Sequence, residues 1–307
     1  KASSVALVTH VNPDGDGLGA EAALAEALEG LGKKVFLANQ DATPERYAFL
    51  GLERWKAPER PCDLGVVLDT SDKGRTGTGA RALDSAGAIA VVDHHAGGGP
   101  FGQVNWIDAS AASAGSMVAR ILEELQVALT PSMASAIYTA LAHDTGCFKY
   151  SNTGADSFSL AARLKSAGAD TAEINTLLFD SRRAEAVKLT AKSLSALQMG
   201  DKGLSAMASV SAAMLAECGA APEDCDGIVE ALRGIQGVEV SALLRQDKDS
   251  VKLSLRSKRW LDVNRIAGLF GGGGHVRAAG ATLRMPLNEA FEAVAARIHE
   301  ALAEKKP

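Results

Sequence analysis

The stretch "VTHVNPDGDGLGAE", residues 8–21, decides how the first part of the chain folds, because it joins an apolar run to a helical pattern. It resembles a glycine-rich loop that binds phosphate between a strand and a helix, because it contains Gly15, Gly17 and Gly19. The dinucleotide-binding motif, however, needs its third glycine one residue later, and the two aspartates of the loop would repel a pyrophosphate. The spacing therefore argues against phosphate binding without a cation.

The same stretch also predicts a metal site. His10, Asn12, Asp14 and Asp16 alternate along the chain, and an extended backbone puts every second side chain on one side. A straight strand rises about 3.3 Å per residue, so the turn formers that follow Asn12 must bend the chain before His10 and Asp14 can share an ion. The alternative stays open that the aspartates only form a surface turn and cap the next helix.

Composition and charge limit the class of protein. The chain has 307 residues, 47% of them hydrophobic and 22% charged, which is typical of a globular chain with about two domains. Without an apolar run of about 18 residues, or a secretory signal after Lys1, we expect a cytoplasmic protein that does not span a membrane. The net charge of -5 argues against a broad basic surface for long duplex nucleic acid.

The cysteines give no sign of a structural zinc site or of disulfides, because no pair has C-x-x-C spacing. We expect them to be reduced and mostly buried thiols. They are Cys62, Cys147, Cys218 and Cys225.

Apolar runs alternate with helical patterns through the first half of the chain, and the first such helix is expected from about 18 to 31. This alternation predicts an α/β fold with an N-terminal parallel sheet, flanking helices and a smaller C-terminal α/β domain. We expect the first domain at 1–180, a helical linker at 181–200 and the second domain at 201–307. The whole of 174–199 is expected to be helical.

Histidine or aspartate ends each apolar run, and ligands of parallel sheets gather beyond the carboxyl ends of the strands. The pieces are "HVNPDGD", "VVLDTSD", "VVDHH" and "LAHDTGCFKYSN". Several carboxylates with a few imidazoles suit a pair of hard divalent cations, and the histidines favour Mn²⁺ over Mg²⁺. Taken alone, His143 is expected to be only a helix-end residue.

These pieces, with "GGGGHVRAAG" downstream, occur in the order found in the DHH phosphoesterase superfamily, which the chain resembles over essentially its whole length. It resembles the two-domain DHH and DHHA1 type, and within it the bacterial nanoRNase and pAp phosphatase group. One departure is Ala20, where the first motif commonly has serine. No ligand position is changed by it.

The resemblance implies two Mn²⁺ ions, for which Mg²⁺ is a substitute. One ion would be held by His10, Asp14 and Asp69. The other would be held by Asp16, Asp69, His94 and Asp144. The residues expected to act in catalysis are Asp69, which bridges the ions, His95, which faces the scissile phosphate, and Asp93, which orients a neighbouring histidine.

Substrate binding is expected from both domains. Glycines let backbone N–H groups approach a ligand closely, and arginine can hold a terminal phosphate with two hydrogen bonds. A second anchor at a fixed distance from the metals would select short oligonucleotides. The expected substrate-binding residues are Asn12, Asn152, Arg256, Ser257, Gly273, Gly274 and His275.

The sequence thus predicts an Mn²⁺-dependent hydrolase of short RNA oligonucleotides, 2 to 5 nucleotides long by the family resemblance, and of pAp, giving mononucleotides. Two alternatives remain: a phosphodiesterase for linear or cyclic dinucleotides such as pApA and c-di-AMP, and a nucleotide-binding module without activity. The expected partners are these small substrates, with no long duplex nucleic acid and no membrane. The oligomeric state stays open, a homodimer included.

Overall fold

The computed structural model describes residues 2–56, 60–95 and 98–304. The chain divides into two compact units, Lys1–Ser181 and Arg182–Pro307, each of which is described by itself. In the described part of the chain, no helix has both the length and the apolar character needed to cross a lipid bilayer.

The first unit is built on a sheet that, among the described residues, has five strands, all parallel. In chain order these are β1 (Ser4–Val8), β2 (Lys34–Leu37), β3 (Leu64–Leu68), β4 (Ala88–Asp93) and β5 (Val104–Ile107). Across the sheet they are ordered β2-β1-β3-β4-β5. The apolar residues of β1 and β3 are almost wholly buried, as in strands covered on both faces. The predicted α/β class with an N-terminal parallel sheet is confirmed.

Helices connect and cover these strands. They are α1 (Gly15–Gly30), α2 (Ala80–Asp84), α3 (Ala114–Glu124), α4 (Pro131–Asp144), α5 (Ala155–Ser166) and α6 (Thr171–Phe179). Short 3₁₀ segments span Glu45–Leu50, Leu52–Trp55 and Lys73–Gly79. The starts of α3 and α4 are capped by the hydroxyls of Ser113 and Thr130, which accept hydrogen bonds from backbone N–H groups three residues on.

Helix α1 begins at Gly15, three residues earlier than the sequence pattern predicts, because the Asp14 side chain caps it. Most of α1 is buried, and it packs closely against α4. A Cβ atom on Gly19 would lie 2.4 Å from the carbonyl oxygen of Ala136, and one on Gly17 would lie 2.2 Å from the Thr9 hydroxyl. These two glycines therefore allow close packing of α1 rather than the approach of a phosphate.

The second unit contains a mixed sheet, ordered β10-β11-β9-β8-β7-β6 in the described residues. Its strands are β6 (Gln198–Gly200), β7 (Ser205–Val210), β8 (Val240–Asp247), β9 (Ser250–Ser257), β10 (Gly273–His275) and β11 (Ala278–Leu283). Within this sheet, only β7 and β8 pair in parallel among the described strands. Its helices are α7 (Ala184–Ser195), α8 (Ala212–Cys218), α9 (Ile228–Gly234), α10 (Val263–Gly268) and α11 (Leu287–Glu304). The predicted smaller α/β domain is confirmed as a fold class.

The prediction of one continuous helix at 174–199 is wrong. Helix α6 ends at Phe179, α7 begins at Ala184, and β6 begins at Gln198. The guanidinium of Arg182 donates to the Thr190 hydroxyl and to the Asp226 carbonyl, which holds the break between the helices. The assignment of 181–200 as a linker stays a prediction.

The described structure has no disulfide, and all four cysteines are free thiols. Cys62 and Cys225 are buried, whereas Cys147 and Cys218 are partly exposed. Burial raises the pKa of the Cys225 thiol to about 11. Cys62 and Cys225 therefore belong to the packing of the fold.

Candidate metal centre

Three neighbouring strands of the first unit end beside one another, and each delivers a polar side chain there. His10 follows β1, Asp69 follows β3 directly, and His94 follows β4 directly. Strand β3 lies between β1 and β4 in the sheet, so Asp69 sits between the two histidines. The start of α1 adds Asp14 and Asp16, and the end of α4 adds Asp144.

A first group of donor atoms surrounds His10, which is buried. Its Nε2 atom lies 3.3 Å from Oδ2 of Asp69 and 3.8 Å from Oδ2 of Asp14. Its Nδ1 atom lies 2.9 Å from the Val11 carbonyl, and because a carbonyl only accepts, Nδ1 carries the proton. In the neutral ring, Nε2 then presents a lone pair to carboxylate oxygens, an arrangement that needs a cation between them.

A second group surrounds His94, which is also buried. Its Nε2 atom lies 3.3 Å from Oδ2 of Asp16, 3.3 Å from Oδ1 of Asp69 and 3.1 Å from Oδ2 of Asp144. Its Nδ1 atom faces the carbonyl of Ala111 at 3.3 Å. The two groups therefore use the two different oxygens of the Asp69 carboxylate.

These donor atoms fit the coordination of a hard divalent ion. An octahedral ion with bonds of about 2.1 Å separates neighbouring donors by about 3.0 Å and opposite donors by about 4.2 Å. The nitrogen-to-oxygen distances in both groups, from 3.1 to 3.8 Å, fall within this range. Oxygen donors with imidazoles and without thiolates are the set that Mn²⁺ and Mg²⁺ accept.

The pKa shifts in the metal-free protein show how strongly this cluster needs positive charge. Burial lowers the pKa of His10, but the carboxylates of Asp69 and Asp14 outweigh burial and raise it to about 9. Burial opposes ionisation of Asp69, yet His10 and His94 hold the pKa of its carboxyl well below the usual range. Without cations, protons on the histidines therefore supply the positive charge that the carboxylates require.

Asp16 is held in place by the start of α3. Its two oxygens accept the backbone N–H groups of Ala114, at 2.6 Å, and Gly115, at 2.8 Å. Burial, together with the charges of Asp69 and Asp144, raises the pKa of Asp16 to about 7. The side chain is fully buried, so the positive end of α3 compensates its charge when it is ionised.

Asp69 has an unusual backbone. Its φ angle is 63°, in the left-handed region that non-glycine residues seldom adopt. Aspartate is among the residues that tolerate this region, at a cost of about 1 kcal/mol or more. This residue carries the carboxylate that faces both histidines, and backbone strain of this kind often occurs at functional sites.

His95 and Asp93 form a pair beside the second group. Nδ1 of His95 lies 2.7 Å from Oδ1 of Asp93, and the His95 backbone N–H donates to the same oxygen at 3.1 Å. Burial lowers the pKa of His95, but the hydrogen bond to Asp93 and the charge of Asp69 outweigh it and raise that pKa. Asp93 therefore fixes the orientation of His95, and its expected part in catalysis stays a prediction.

The two asparagines expected to bind substrate lie in the first unit. Asn12 is exposed, has a φ angle of 53°, and donates its backbone N–H to Asp41. The amide of Asn152 donates to the carbonyls of Ala112 and Asp144, both at 3.1 Å. Asn152 thus supports the backbone of a cluster residue, and the substrate contacts of both asparagines stay predictions.

The second unit holds the other expected substrate-binding residues. Arg256 donates to Glu230 at 2.9 Å, and Ser257 is buried with its hydroxyl 3.5 Å from the Val276 carbonyl. The glycine run forms strand β10, in which Gly274 has a φ angle of 142°. A Cβ atom on Gly274 would lie 2.5 Å from the carbonyl oxygen of Ala278. Close pairing of β10 with β11 therefore requires glycine there, whatever the loop binds.

Residue-by-residue reasoning missed two side chains near the cluster, one partly buried and one fully buried. Nδ1 of His143 lies 3.5 Å from Oδ1 of Asp144 and 3.9 Å from Oδ1 of Asp14. The one local sign in the sequence that His143 lies near the cluster is that it directly precedes Asp144.

The other is Glu21, which is fully buried in α1 and accepts a hydrogen bond from the Asn39 amide at 2.7 Å. The Asn39 side chain in turn accepts the backbone N–H of Thr9, next to His10. Burial raises the pKa of Glu21 to about 8, against the opposing hydrogen bond from Asn39. No sequence pattern marks a glutamate on the buried face of a helix as special.

The fold and the cluster define the class of protein. Residues 4–141 match the DHH family, N-terminal domain, and residues 208–304 match the DHHA1 domain. The chain belongs to the DHH family, which confirms the resemblance seen in its motifs.

Curated relatives extend this likeness along the whole chain. The chain is 33% identical over 302 residues to the bifunctional oligoribonuclease and PAP phosphatase NrnA of Thermus thermophilus, covering 96% of this chain and 89% of that protein. It is 25% identical to the protein of the same name from Bacillus subtilis, covering 91% of this chain and 89% of that one.

A solved structure shares the fold. The crystal structure of an exopolyphosphatase-related protein from Bacteroides fragilis superposes with a TM-score of 0.90 at 24% identity. The match covers 99% of this chain and 93% of the other.

Proposed function

We propose that the chain, a hydrolase of phosphate ester bonds, cleaves short RNA oligonucleotides to mononucleotides and pAp to AMP with two Mn²⁺ ions. The observation that carries this proposal is the shared carboxylate: Asp69 offers one oxygen to the group around His10 and the other to the group around His94. Similarity to NrnA proteins over most of the chain supports the choice of substrates.

The residues present fit a pair of hard divalent ions. His10, Asp14 and Asp69 would hold one ion. Asp16, Asp69, His94 and Asp144 would hold the other. When bound, such ions activate water and neutralise charge on phosphoryl oxygens, and Mg²⁺ is an expected substitute for Mn²⁺. Four carboxylates balance the charge of two divalent ions, so a loaded cluster no longer repels an anionic substrate.

Hydrogen bonds within the first unit set the orientation of the histidines that would act in the reaction. His10 and His94 are each fixed by a carbonyl on Nδ1, so that Nε2 points into the cluster. His95, held by Asp93, is 20% exposed and can present its other nitrogen to a phosphoryl oxygen. The raised pKa of His95 favours the protonated ring, whose second N–H would stabilise negative charge that develops on the phosphate.

Substrate length would be set by the second unit. Arg256 and the backbone of Gly273, Gly274 and His275 supply a cation and close backbone N–H groups for a terminal phosphate. Ser257, next to Arg256 on β9, would also contact the substrate. An anchor for the far end of the substrate favours oligonucleotides of a few nucleotides and excludes long strands.

A five-substrate assay tests the proposal. The full chain is incubated with Mn²⁺, Mg²⁺ or a chelator and offered pApA, a 5-mer RNA, a 24-mer RNA, pAp and pyrophosphate at equal concentrations. We expect Mn²⁺-dependent hydrolysis of the 5-mer, pApA and pAp, with the 24-mer and pyrophosphate spared. Turnover of pApA alone would instead assign the chain to dinucleotide hydrolysis, and absence of turnover on all five would refute an enzymatic role on these substrates.

A further inference from the structure

We propose that His143 is a positioning residue that holds the Asp144 carboxylate in place as a ligand of the group around His94. Its Nδ1 atom faces Oδ1 of Asp144 at 3.5 Å, while Oδ2 of the same carboxylate faces His94. The inference rests on the proposed two-metal function and deepens it, because it adds a residue that sets the affinity of the same site for its ions.

The two carboxylates present opposite oxygens to the metal groups and to His143. Oδ2 of Asp14 faces His10, and Oδ2 of Asp144 faces His94. Both Oδ1 atoms face His143 instead, at 3.9 Å and 3.5 Å. The Asp144 oxygen at 3.5 Å is within reach of Nδ1, whereas the Asp14 oxygen at 3.9 Å lies beyond hydrogen-bond range and already accepts two backbone N–H groups.

The His143 ring is kept in this position by its surroundings. Its ring packs edge-on against Tyr47, with centroids 6.2 Å apart and an interplanar angle of 76°. A Cβ atom on Gly15 would lie 2.9 Å from Cβ of His143 and 3.0 Å from Cγ, so only glycine leaves room for the ring there. Packing on two sides thus fixes the orientation of the imidazole.

A hydrogen bond to Asp144 would satisfy a buried polar atom of His143, its Nδ1. It is buried and has no hydrogen-bond partner within residues 2–56, 60–95 and 98–304. A buried polar atom without a partner is costly, and the polar atoms facing it are the two Oδ1 atoms. Small movements of the Asp144 side chain from 3.5 Å bring it into full hydrogen-bond range.

A hydrogen bond to the outer oxygen stops a ligating carboxylate from rotating. Partners of this kind typically change metal affinity by about 10- to 100-fold when they are removed. Because Asp144 belongs to the group around His94, loss of His143 should weaken the ion of that group more than the ion of the group around His10. An ordinary structural histidine would change neither.

A third ion held by Asp14, His143 and Asp144 is the competing explanation, since one donor atom from each lies within 4.8 Å of the others. Oδ1 of Asp14, however, already accepts the backbone N–H groups of Asp16, at 2.9 Å, and Gly17, at 3.4 Å. That oxygen has little capacity left for a cation. The geometry therefore favours a hydrogen-bond donor at His143.

The test is calorimetric titration of the metal-free full chain with Mn²⁺. His143→Phe keeps a ring and removes the nitrogen, His143→Asn keeps an N–H donor at the Nδ1 position and removes the ring, and His143→Ala removes both. His299→Ala is the matched control, because His299 is exposed and pairs with Asp201 in the second unit. We expect two ions in every variant, one of them bound about 10- to 100-fold more weakly in His143→Ala and His143→Phe, with recovery in His143→Asn.

Three results would overturn the proposal. Wild-type affinity in His143→Ala would remove any role in the site. Wild-type affinity in His143→Phe beside weak binding in His143→Ala would assign the effect to ring volume. A fall from three bound ions to two would make His143 a ligand of a third ion.

The same titration separates this inference from the proposed function. A wild-type chain that binds no Mn²⁺ overturns both. A wild-type chain that binds two ions but hydrolyses none of the five substrates refutes the proposed function alone, and the variants then support or overturn the role of His143 as stated.

Discussion

Replacing Glu21 by glutamine should stabilise the metal-free protein, and by more at pH 8 than at pH 5. Glu21 is fully buried, and its pKa rises from an ordinary value of 4.5 to about 8. Between these pH values the folded chain keeps the proton while the unfolded chain releases it. The contribution of Glu21 to stability is therefore lost as the pH rises, whereas glutamine has no proton to lose.

The size of the effect follows from the two pKa values. Each pKa unit corresponds to about 1.4 kcal/mol, so the full cost of ionising Glu21 in the fold is at most about 5 kcal/mol. Between pH 5 and pH 8 the difference in unfolding free energy between Glu21→Gln and wild type should grow by about 3 kcal/mol. The Asn39 hydrogen bond is retained, since glutamine also offers an oxygen acceptor.

Urea unfolding at pH 5, 6.5 and 8 in the presence of a chelator measures this difference. Comparing variants at each pH cancels the contributions of the histidines and aspartates of the cluster. Glu29→Gln, an exposed glutamate on the same helix, shows whether loss of any carboxylate gives the same trend. A Glu21→Gln advantage that stayed constant across the three pH values would refute the reasoning.

Three further substitutions test the site and its support. Asp69→Asn should lower hydrolysis of the 5-mer by at least about 1,000-fold, because several kcal/mol of charge stabilisation depend on the ions it would bridge; near-normal turnover would contradict this. Gly19→Ala should destabilise the chain by about 1–3 kcal/mol in urea unfolding, since its Cβ would meet the α4 backbone, whereas Gly30→Ala, with open space around it, should not. Arg256→Ala should raise the KM for the 5-mer by about 10-fold or more with a smaller change in kcat, while the exposed Arg259→Ala should leave KM unchanged; equal effects of both would count against a substrate contact.

Much of the first unit could be predicted because its strands and their polar ends are marked by residues that are close together in sequence. Nearly continuous apolar runs indicate buried parallel strands, and polar side chains at their ends must then meet at one edge of the sheet. His10, Asp69 and His94 were found in this way, and the structure brings them together. Their role as ligands is a matter for the metal titrations.

The two opening interpretations of Asp14 were not exclusive. Its Oδ1 caps α1 by accepting the Asp16 and Gly17 N–H groups, while Oδ2 faces His10. A cap and a candidate ligand can be the same carboxylate, because each has two oxygens. The pattern of alternating residues could not show that the two oxygens of Asp14 have different partners.

The remaining features depend on contacts between distant parts of the chain. The break between α6 and α7 lacks glycine and proline and depends on hydrogen bonds of Arg182 to residues later in the chain. Likewise, His143 and Glu21 acquire their surroundings only when α1 packs against α4 and the sheet. Periodicity and spacing carry no signal for such tertiary contacts.

The hold of α3 on Asp16 bears on how the protein responds to a shortage of metal. In small zinc domains the ion supplies the folding free energy, and its removal unfolds the chain. Here two backbone N–H groups donate to the Asp16 carboxylate, and the first unit has a large buried apolar core that supplies folding free energy. Without bound cations the chain should therefore stay folded and able to bind them again. Its activity can then change with the free cation concentration without synthesis of new protein.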